Sequence, residues 1–348
     1  MTRISKIFLC LTLAILAIWQ LPWCYAFLNT KAAPNRFIMY SSLLNDFIIT
    51  GHEEGKGFIR QDVAGNLYTE EAVDSLLPMF YMRQLVADEA FPDTLFGVAV
   101  SPLEVQRTSF NLRIRPSAVN GPETRLYFLL ESMPKRVDLQ MPEDAFRFTD
   151  TGIEFIIMET NSVDAAKSGR FTQVLRDKGF AFPPRKVSGN PTTMKEYDNG
   201  YLLIDANGNV FHLKQTAGQP YVKALSLPEN VEARHIFLTE FRDRRLLGFL
   251  TDTRNRCFAI LSDGSMTETG IPSYNPETDN FTIIGNMFDM TVRISSPDAT
   301  HYYGLSADDY SLLKSYEPAS ESGTHILRDS ALPLLMTGMC VPVFENTY

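Results

Sequence analysis

The sequence contains few of the side chains that bind metals, with four cysteines and five histidines among 348 residues. No two cysteines have the C-x2-4-C spacing of a zinc site, and no two histidines have H-x3-H or H-E-x-x-H spacing. The sequence also lacks a P-loop, a G-x-G-x-x-G turn and a G-x-S-x-G nucleophile motif. We therefore predict no metal and no cofactor, and a non-catalytic protein is favoured over an enzyme.

Basic residues are in the minority, with 32 lysines and arginines against 41 aspartates and glutamates and a net charge of −9. Because an acidic chain repels nucleic-acid phosphates, nucleic acid is not predicted as a partner. The densest charged cluster is Arg242-Asp243-Arg244-Arg245. This cluster is either a solvated turn or a docking point for an anion or a partner protein, through Arg242, Arg244 and Arg245.

Long apolar runs are absent except near the N-terminus, where residues 7–27 include almost no polar side chain. Since about 20 apolar residues suffice for a helix to cross the hydrocarbon core of a bilayer, we predict a transmembrane helix over residues 7–27. Residues 1–27 are then a signal anchor or a cleaved signal peptide, and a lipoprotein site at Cys24 is a third alternative. The body is predicted in the periplasm of a bacterial envelope, tethered to the inner membrane or released by cleavage.

Residues 201–348 are predicted as an antiparallel β region with blade-like repeats. Short β-branched and aromatic runs alternate with polar turns, and Asn207-Gly208 and Asp263-Gly264 provide the positive-φ positions that tight hairpins need. The predicted strands cover residues 201–205, 209–214, 221–225, 235–241, 246–251, 256–261, 281–285, 288–294, 300–305 and 310–316. Such a pattern is typical of a propeller-like or sandwich-like body.

A short pattern occurs three times, in residues 62–68 (DVAGNLY), 205–211 (DANGNVF) and, more loosely, 251–258 (TDTRNRCF). The last two copies are about 47 residues apart, close to the length of one four-stranded propeller blade. Chance similarity between hairpin turns is the alternative. The copy at 205–211 also has the first oxygen spacings of a calcium loop, but it lacks the glycine and the glutamate of that loop, so a hairpin turn is preferred.

Residues 28–182 are predicted as a mixed region of strands and two helices. The first helix is expected over residues 69–89, with Thr69 as its N-cap and Pro78 as a kink or a break between two short helices. The second helix is expected over residues 162–178, beginning at a capping serine. Strands are expected in residues 95–100, 110–114 and 125–131.

Proline and glycine are concentrated in residues 183–200, which we predict as a linker or a crossover connection. The apolar stretch 331–344 is too short to span a bilayer and is predicted as a closing strand and loop. Outside the N-terminal segment the chain has two cysteines, Cys257 and Cys340. They form either one disulfide in an oxidising compartment or two separate buried thiols.

Three stretches of the body resemble an uncharacterised family of bacterial cell-envelope proteins, known as a domain of unknown function. They are residues 153–183 (IEFIIMETNSVDAAKSGRFTQVLRDKGFAFP), 200–214 (GYLLIDANGNVFHLK) and 234–252 (RHIFLTEFRDRRLLGFLTD). The resemblance implies a periplasmic domain that is tethered to the inner membrane and encoded beside transporter genes. It implies no catalytic residues.

The missing motifs, the apolar segment and the repeats together favour a membrane-tethered extracytoplasmic binding or accessory protein. Its expected partner is an inner-membrane protein such as a transporter. The alternative is a periplasmic hydrolase of glycans or peptides, which would use two acids that converge in the β region. The acids available for that role include Glu154, Glu240, Asp243 and Asp252. His212 and His235 are expected to be strand residues rather than ligands, and a purely structural envelope component is the third hypothesis.

Overall fold

A computed structural model of the protein describes residues 3–29, 36–53, 55, 57–122, 124–297 and 299–318, with side chains of the first helix described for residues 3–21. The predicted closing strand at 331–344 and Cys340 lie outside the described residues. The chain divides into two compact units. The first comprises residues 1–37, 50–59 and 318–348, and the second comprises residues 38–49 and 60–317.

The first helix, α1 (Arg3–Asn29), contains the predicted apolar segment. Its residues Arg3–Leu21 are fully exposed and long and apolar enough to cross a membrane. At 1.5 Å per residue, the 27 residues of the helix extend about 40 Å, which exceeds the roughly 30 Å of a hydrocarbon core. A membrane anchor and a signal sequence both have this property, so the two alternatives stay open.

Five short helices follow α1 in the second unit. They are α2 (Glu70–Leu76), α3 (Met82–Ala87), α4 (Pro102–Thr108), α5 (Ser117–Asn120) and α6 (Ala165–Asp177). The predicted break at Pro78 is confirmed, because α2 and α3 are separate, and the Thr69 side chain accepts a hydrogen bond from the Ala72 N–H as the predicted cap. The predicted cap of α6 is wrong. Asp164 rather than Ser162 accepts from the Lys167 N–H, and Ser162 pairs in a short strand instead.

Within the described residues, twenty-one strands form six sheets. Sheet 1 contains β1 (Arg36–Ser41), β2 (Asp46–Glu53) and β3 (Gly57–Asp62), a two-stranded hairpin contains β4 (Thr94–Leu95) and β5 (Val98–Ala99), and sheet 2 contains β7 (Asp144–Phe148), β8 (Ile153–Ile157) and β9 (Ser162–Val163). Sheet 3 contains β10 (Lys186–Gly189), β11 (Tyr201–Ile204), β12 (Val210–Thr216) and β13 (Gln219–Leu225), and sheet 4 contains β14 (Ala233–Leu238), β15 (Leu246–Asp252), β16 (Cys257–Leu261) and β17 (Met266–Glu268). Sheet 5 contains β6 (Phe110–Ile114), β18 (Asn280–Gly285), β19 (Asp289–Ser295), β20 (Thr300–Ser306) and β21 (Leu312–Tyr316).

The predicted class, mainly β with a few helices, is confirmed. All ten strands predicted after residue 200 are present, and sheets 3 and 4 join consecutive antiparallel strands in chain order. Sheet 5 follows the same order except that β6, from far upstream, pairs with β18 through Phe281 and Ile114. Two expectations for the first half are wrong. Residues 95–100 contain the β4–β5 hairpin with positive φ at Phe96 and Gly97, and residues 125–131 make only isolated bridges.

Strand β11 of sheet 3 is buried on both faces, which explains why it is a continuous apolar run rather than an alternating one. Successive strand residues point to opposite faces. Tyr201 and Leu203 pack in one hydrophobic cluster with residues of sheet 2 and α6, whereas Leu202 and Ile204 pack in another with residues of sheet 4. Sheet 3 therefore packs against sheet 2 through one apolar core and against sheet 4 through a second one.

Two further clusters continue this packing. Phe249 of sheet 4 packs with Phe281 and Val292 of sheet 5, and Tyr302 of sheet 5 packs with Phe47 of β2. Neighbouring antiparallel sheets that pack in this way are compatible with propeller blades. Closure of the sheets into a ring stays a prediction.

The predicted sequence repeat corresponds to a repeated turn. Asp62, Asp205 and Asp252 are all buried. Each carboxylate accepts a hydrogen bond from the backbone N–H four residues later, at 2.9, 2.8 and 2.9 Å. Each aspartate N–H also donates to the carbonyl of that same residue, at 3.1, 2.9 and 3.1 Å. The copy at 205–211 is thus a hairpin turn, as predicted, in which Gly208 supplies a φ of +90°.

Candidate functional site

The predicted arginine cluster lies on the turn between β14 and β15, where its three cations separate. The Arg242 Nε is 2.9 Å from Glu196, and the Arg245 Nε is 2.8 Å from Asp243. Arg244 has no carboxylate partner among the described residues, and its guanidinium lies 4.4 Å from the centre of the Tyr197 ring. Its φ of +56° is unusual for a residue with a side chain.

Arg244 lines a cleft between sheets 3 and 4 with a volume of about 380 Å³. We call it the cationic cleft, because Lys214, Lys223 and Arg244 all line it. The other lining residues are Ser132, Met133, Tyr197, Asp198, Asn199, His212, Tyr221, Leu225, Leu247, Ser262 and Gly264. Its volume lies within the roughly 300–1,000 Å³ range of small-molecule sites.

One wall of the cationic cleft is formed by β12 and β13. Their register places His212 opposite Lys223 and Lys214 opposite Tyr221. Because strand side chains alternate between faces, these four lie on one face, while the intervening Leu213 is buried in a hydrophobic core. The Lys214 Nζ lies 5.0 Å from the Tyr221 ring centre, so the ring face helps to hold that cation in place.

The second lysine of this wall is held by backbone. The Lys223 Nζ donates a hydrogen bond to the Asp263 carbonyl oxygen in the turn between β16 and β17. Neither Lys214 nor Lys223 has a carboxylate within ion-pair distance in the described part of the chain. Both ammonium groups are therefore held in position without an ion pair among the described residues.

Next to this wall, Lys195 and Asp198 form an ion cluster with Glu240. The Lys195 Nζ is 2.7 Å from Asp198 and 2.6 Å from Glu240. The three side chains are 7%, 3% and 3% exposed. Burial raises the pKa of Glu240, and the bond from Lys195 opposes that effect. The carboxylate of Asp198 also accepts from the Ser132 hydroxyl and the Gly200 N–H, so the one carboxylate in the cleft lining is already satisfied.

His212 contributes a neutral ring to the cleft. Its Nε2 lies 2.6 Å from the Asn199 carbonyl oxygen, and since a carbonyl only accepts, Nε2 carries the proton. Burial lowers the pKa of His212 to about 4, and Lys214 adds to that effect against the bond to Asn199. At neutral pH the Nδ1 therefore holds a lone pair that can accept a hydrogen bond.

The four acids considered for a hydrolase are all in ion pairs. Glu154 pairs with Arg147 at 2.8 Å, and Asp252 pairs with Arg256 at 2.8 Å. Glu240 and Asp243 pair with Lys195 and Arg245, as described above. None of the four lines the cationic cleft.

The remaining residues singled out from the sequence lie elsewhere. The His235 Nε2 is 3.3 Å from Glu277, and in the described residues no cluster of three histidine, cysteine or acidic side chains could hold a metal ion. Cys257 is buried as a free thiol, and burial raises its pKa to about 12. Its pairing with Cys340 involves a residue outside the described ones.

Sequence reasoning found Arg244 but missed the rest of the cleft. A signal was present, because His212 and Lys214 alternate with apolar residues in one predicted strand, and Tyr221 and Lys223 do so in the next. Polar residues that alternate with apolar ones in adjacent strands predict a shared polar face. What that face lies against depends on sheet packing.

Comparisons with known proteins give one clear match. The sequence model of a family described as Domain of unknown function (DUF4857) matches residues 37–305. No curated protein matches the chain.

Two solved structures are distantly similar. One is PorZ, described as an essential bacterial surface component of the type-IX secretion system of Porphyromonas gingivalis, with 10% identity and a TM-score of 0.24 over 82% of this chain and 32% of PorZ. The other is BBS1N, solved in complex with ARL6DN, with 8% identity and a TM-score of 0.28 over 84% of this chain and 94% of that chain. At these TM-scores neither likeness supports an argument about function.

Proposed function

The chain belongs to the family described as Domain of unknown function (DUF4857), and we propose that it is a membrane-tethered, non-catalytic binding protein that takes an anionic ligand into its cationic cleft. The observation that carries this proposal is the set of three cations in the cleft lining, Lys214, Lys223 and Arg244, without a carboxylate partner among the described residues. The protein as a whole has a net charge of −9, so this cluster of positive charge has the opposite sign to the overall charge.

The positions of these cations support binding rather than accidental exposure. Lys214 and Arg244 each lie over a tyrosine ring, and Lys223 is held by a backbone carbonyl. Placing like charges together costs electrostatic free energy, which an anionic ligand would recover. Charged groups that are fixed before binding also lose less conformational entropy when the ligand arrives.

The membrane part of the proposal rests on α1. An exposed apolar helix of this length suits an anchor that holds the body outside the cytoplasm, in the periplasm. A transporter or another inner-membrane protein is the proposed partner. The cleft would either deliver its ligand to this partner or receive the ligand from it. A phosphatase reporter fused to the body tests this orientation, because the reporter would be active only outside the cytoplasm.

The binding test uses the full chain in detergent and fluorescently labelled oligogalacturonate and oligoglutamate as anionic probes. We expect salt-sensitive binding of at least one probe, which falls at least tenfold in the triple variant Lys214→Met, Lys223→Met, Arg244→Met. Lys178→Met is the matched control, because Lys178 is exposed at the end of α6. Failure of the wild-type protein to bind any anion, or equal binding by the triple variant, would overturn the proposal.

The same preparation tests the hydrolase alternative. Incubation with the two unlabelled oligomers, followed by mass spectrometry, should return them intact. Cleavage that persists in the triple variant would favour a catalytic site elsewhere in the β region.

A further inference from the structure

The cationic cleft contains more than cations, and the neutral groups in its lining indicate the chemical class of the ligand. Resting on the proposed function, we infer that this ligand is a carboxylate-bearing saccharide, such as a short uronic acid oligomer. Such a molecule combines anionic groups with many hydroxyls on apolar-faced rings. Each of these features has a counterpart in the cleft.

The first counterpart is charge on two sides. Lys214 and Lys223 come from β12 and β13 of sheet 3, whereas Arg244 comes from the β14–β15 turn of sheet 4. A ligand between the sheets would therefore meet positive charge on both sides. An oligomer with a carboxylate on each successive ring can place anionic groups on both sides at once.

The second counterpart is a set of neutral polar groups without partners. Tyr221, Ser262 and Asn199 line the cleft, and their side-chain hydroxyl and amide groups make no hydrogen bond to another described residue. Together with the His212 Nδ1, they offer both donors and acceptors. Sugar hydroxyls both donate and accept, so they can satisfy all of these groups, whereas phosphate oxygens at neutral pH mostly accept.

The third counterpart is an aromatic surface. Tyr221 is 40% exposed, and its ring is large, rigid and apolar apart from the hydroxyl. Lys214 approaches one side of the ring, and the His212 ring makes a T-shaped contact with it, at 5.7 Å between ring centres. The exposed part of the ring can therefore cover the C–H face of a sugar that is bonded to the cations beside it.

An acidic peptide fits this wall less well. The backbone groups of β12 are paired with β11 on one side and β13 on the other. A peptide therefore cannot add as a neighbouring strand to β12, and in sheet 3 only the outer edges of β10 and β13 could take an added strand. A peptide that lies across the face of the wall would leave its own N–H and C=O groups to side chains alone.

The experiment is isothermal titration of the full chain in detergent with four probes. The probes are trigalacturonic acid, its methyl ester, triglutamate and inorganic phosphate. We expect the acid to bind at least tenfold more tightly than each of the other three. The methyl ester keeps the hydroxyls but loses the charge, and triglutamate keeps the side-chain charge but loses the hydroxyls.

Two variants separate the neutral groups from the cations. Tyr221→Leu and Ser262→Ala should each weaken trigalacturonate binding about threefold to tenfold and leave the weaker triglutamate binding unchanged. Lys178→Met should change neither. Circular dichroism confirms that each variant is folded before titration.

The outcomes distinguish the two proposals. Triglutamate or phosphate binding as tightly as trigalacturonate would overturn the saccharide inference and leave the anion-binding function standing. Equal loss of both ligands in Tyr221→Leu would also overturn the saccharide inference. No binding of any anionic probe would overturn the proposed function itself.

Discussion

Two neighbouring regions of the molecule contain clustered charges, which are paired with opposite charges in one region and unpaired in the other. In the ion cluster, the Lys195 ammonium is almost fully buried and lies within 2.7 Å of both Asp198 and Glu240. In the cationic cleft, Lys214, Lys223 and Arg244 reach solvent and have aromatic rings or a carbonyl as neighbours instead of carboxylates. The ion cluster resembles a structural element, whereas the cleft resembles a site that lacks its counter-charge until a ligand binds.

The difference between the two regions follows from the cost of burying charge. A buried ion that lacks a partner costs several kcal/mol, so the fold can bury Lys195 only together with its carboxylates. A cation in contact with water has no such requirement. The charges whose removal should damage the fold are therefore the satisfied ones, and the charges whose removal should damage binding are the unsatisfied ones.

The largest expected effect is that of Lys195→Met. Loss of the ammonium leaves Asp198 and Glu240 buried without a counter-charge, so we expect the free energy of unfolding to fall by about 3–5 kcal/mol. Chemical denaturation of the full chain in detergent measures this change. Lys178→Met is the control and should stay within about 0.5 kcal/mol of wild type. A loss below about 1 kcal/mol would mean that the ion cluster is not structural.

The second effect is a pH dependence from His212, which lies between the two regions. Its folded pKa of about 4 is below the unfolded value of roughly 6.5. The unfolded chain therefore binds a proton that the folded chain does not, and stability falls as the pH decreases from about 6.5 towards 4. The expected loss is about 3 kcal/mol, at 1.36 kcal/mol per pKa unit.

Denaturation of wild type and His212→Gln at pH 7.5 and pH 4.5 measures this contribution. The variant should lose less stability than wild type on acidification. An identical pH response in His212→Gln and wild type would contradict a neutral, buried ring at position 212.

The third effect concerns the repeated turns, where a buried carboxylate accepts hydrogen bonds from the backbone of its own turn and only Asp252 also pairs with a cation, Arg256. Asp205→Ala removes a carboxylate that accepts from the N–H groups of Asn207 and Asn209 and leaves them unpaired. We expect a loss of about 2 kcal/mol in the free energy of unfolding. Asp252→Ala should lose at least as much, because it also breaks the ion pair with Arg256, whereas Asp308→Ala, in an exposed turn, should lose less than about 0.5 kcal/mol. A smaller loss at position 252 than at position 205 would mean that the turns are not equivalent.

The sequence predicted those parts of the fold that depend on local patterns. Asn207-Gly208 and Asp263-Gly264 marked hairpins, and the short apolar runs marked the strands of sheets 3, 4 and 5. The pairing of β6 with β18 could not be predicted in this way, because it joins segments about 170 residues apart. Residues 125–131 had strand composition but found only single bridge partners.

The candidate site could likewise be predicted only where it depends on a local sequence pattern. Alternation in β12 and β13 marks a polar face that includes His212, Lys214, Tyr221 and Lys223. The opposite side, with Arg244, depends on how sheets 3 and 4 pack. Arg242 and Arg245 were indistinguishable from Arg244 in the sequence, since only the structure places Glu196 and Asp243 beside them.

The smallest effect on stability is expected for Lys214→Met, which tests the cleft side of the comparison. The variant loses the contact of the ammonium with the Tyr221 ring, worth about 0.5–1 kcal/mol at an exposed site. It also removes the repulsion between Lys214 and Lys223, so the net change in the free energy of unfolding should stay within about 0.5 kcal/mol. Anion affinity should nevertheless fall about tenfold in the titration, because a charge that contacts the ligand has gone. If Lys214→Met instead destabilises the protein as much as Lys195→Met, then the cations of the cleft are part of the fold and the distinction between the two regions fails.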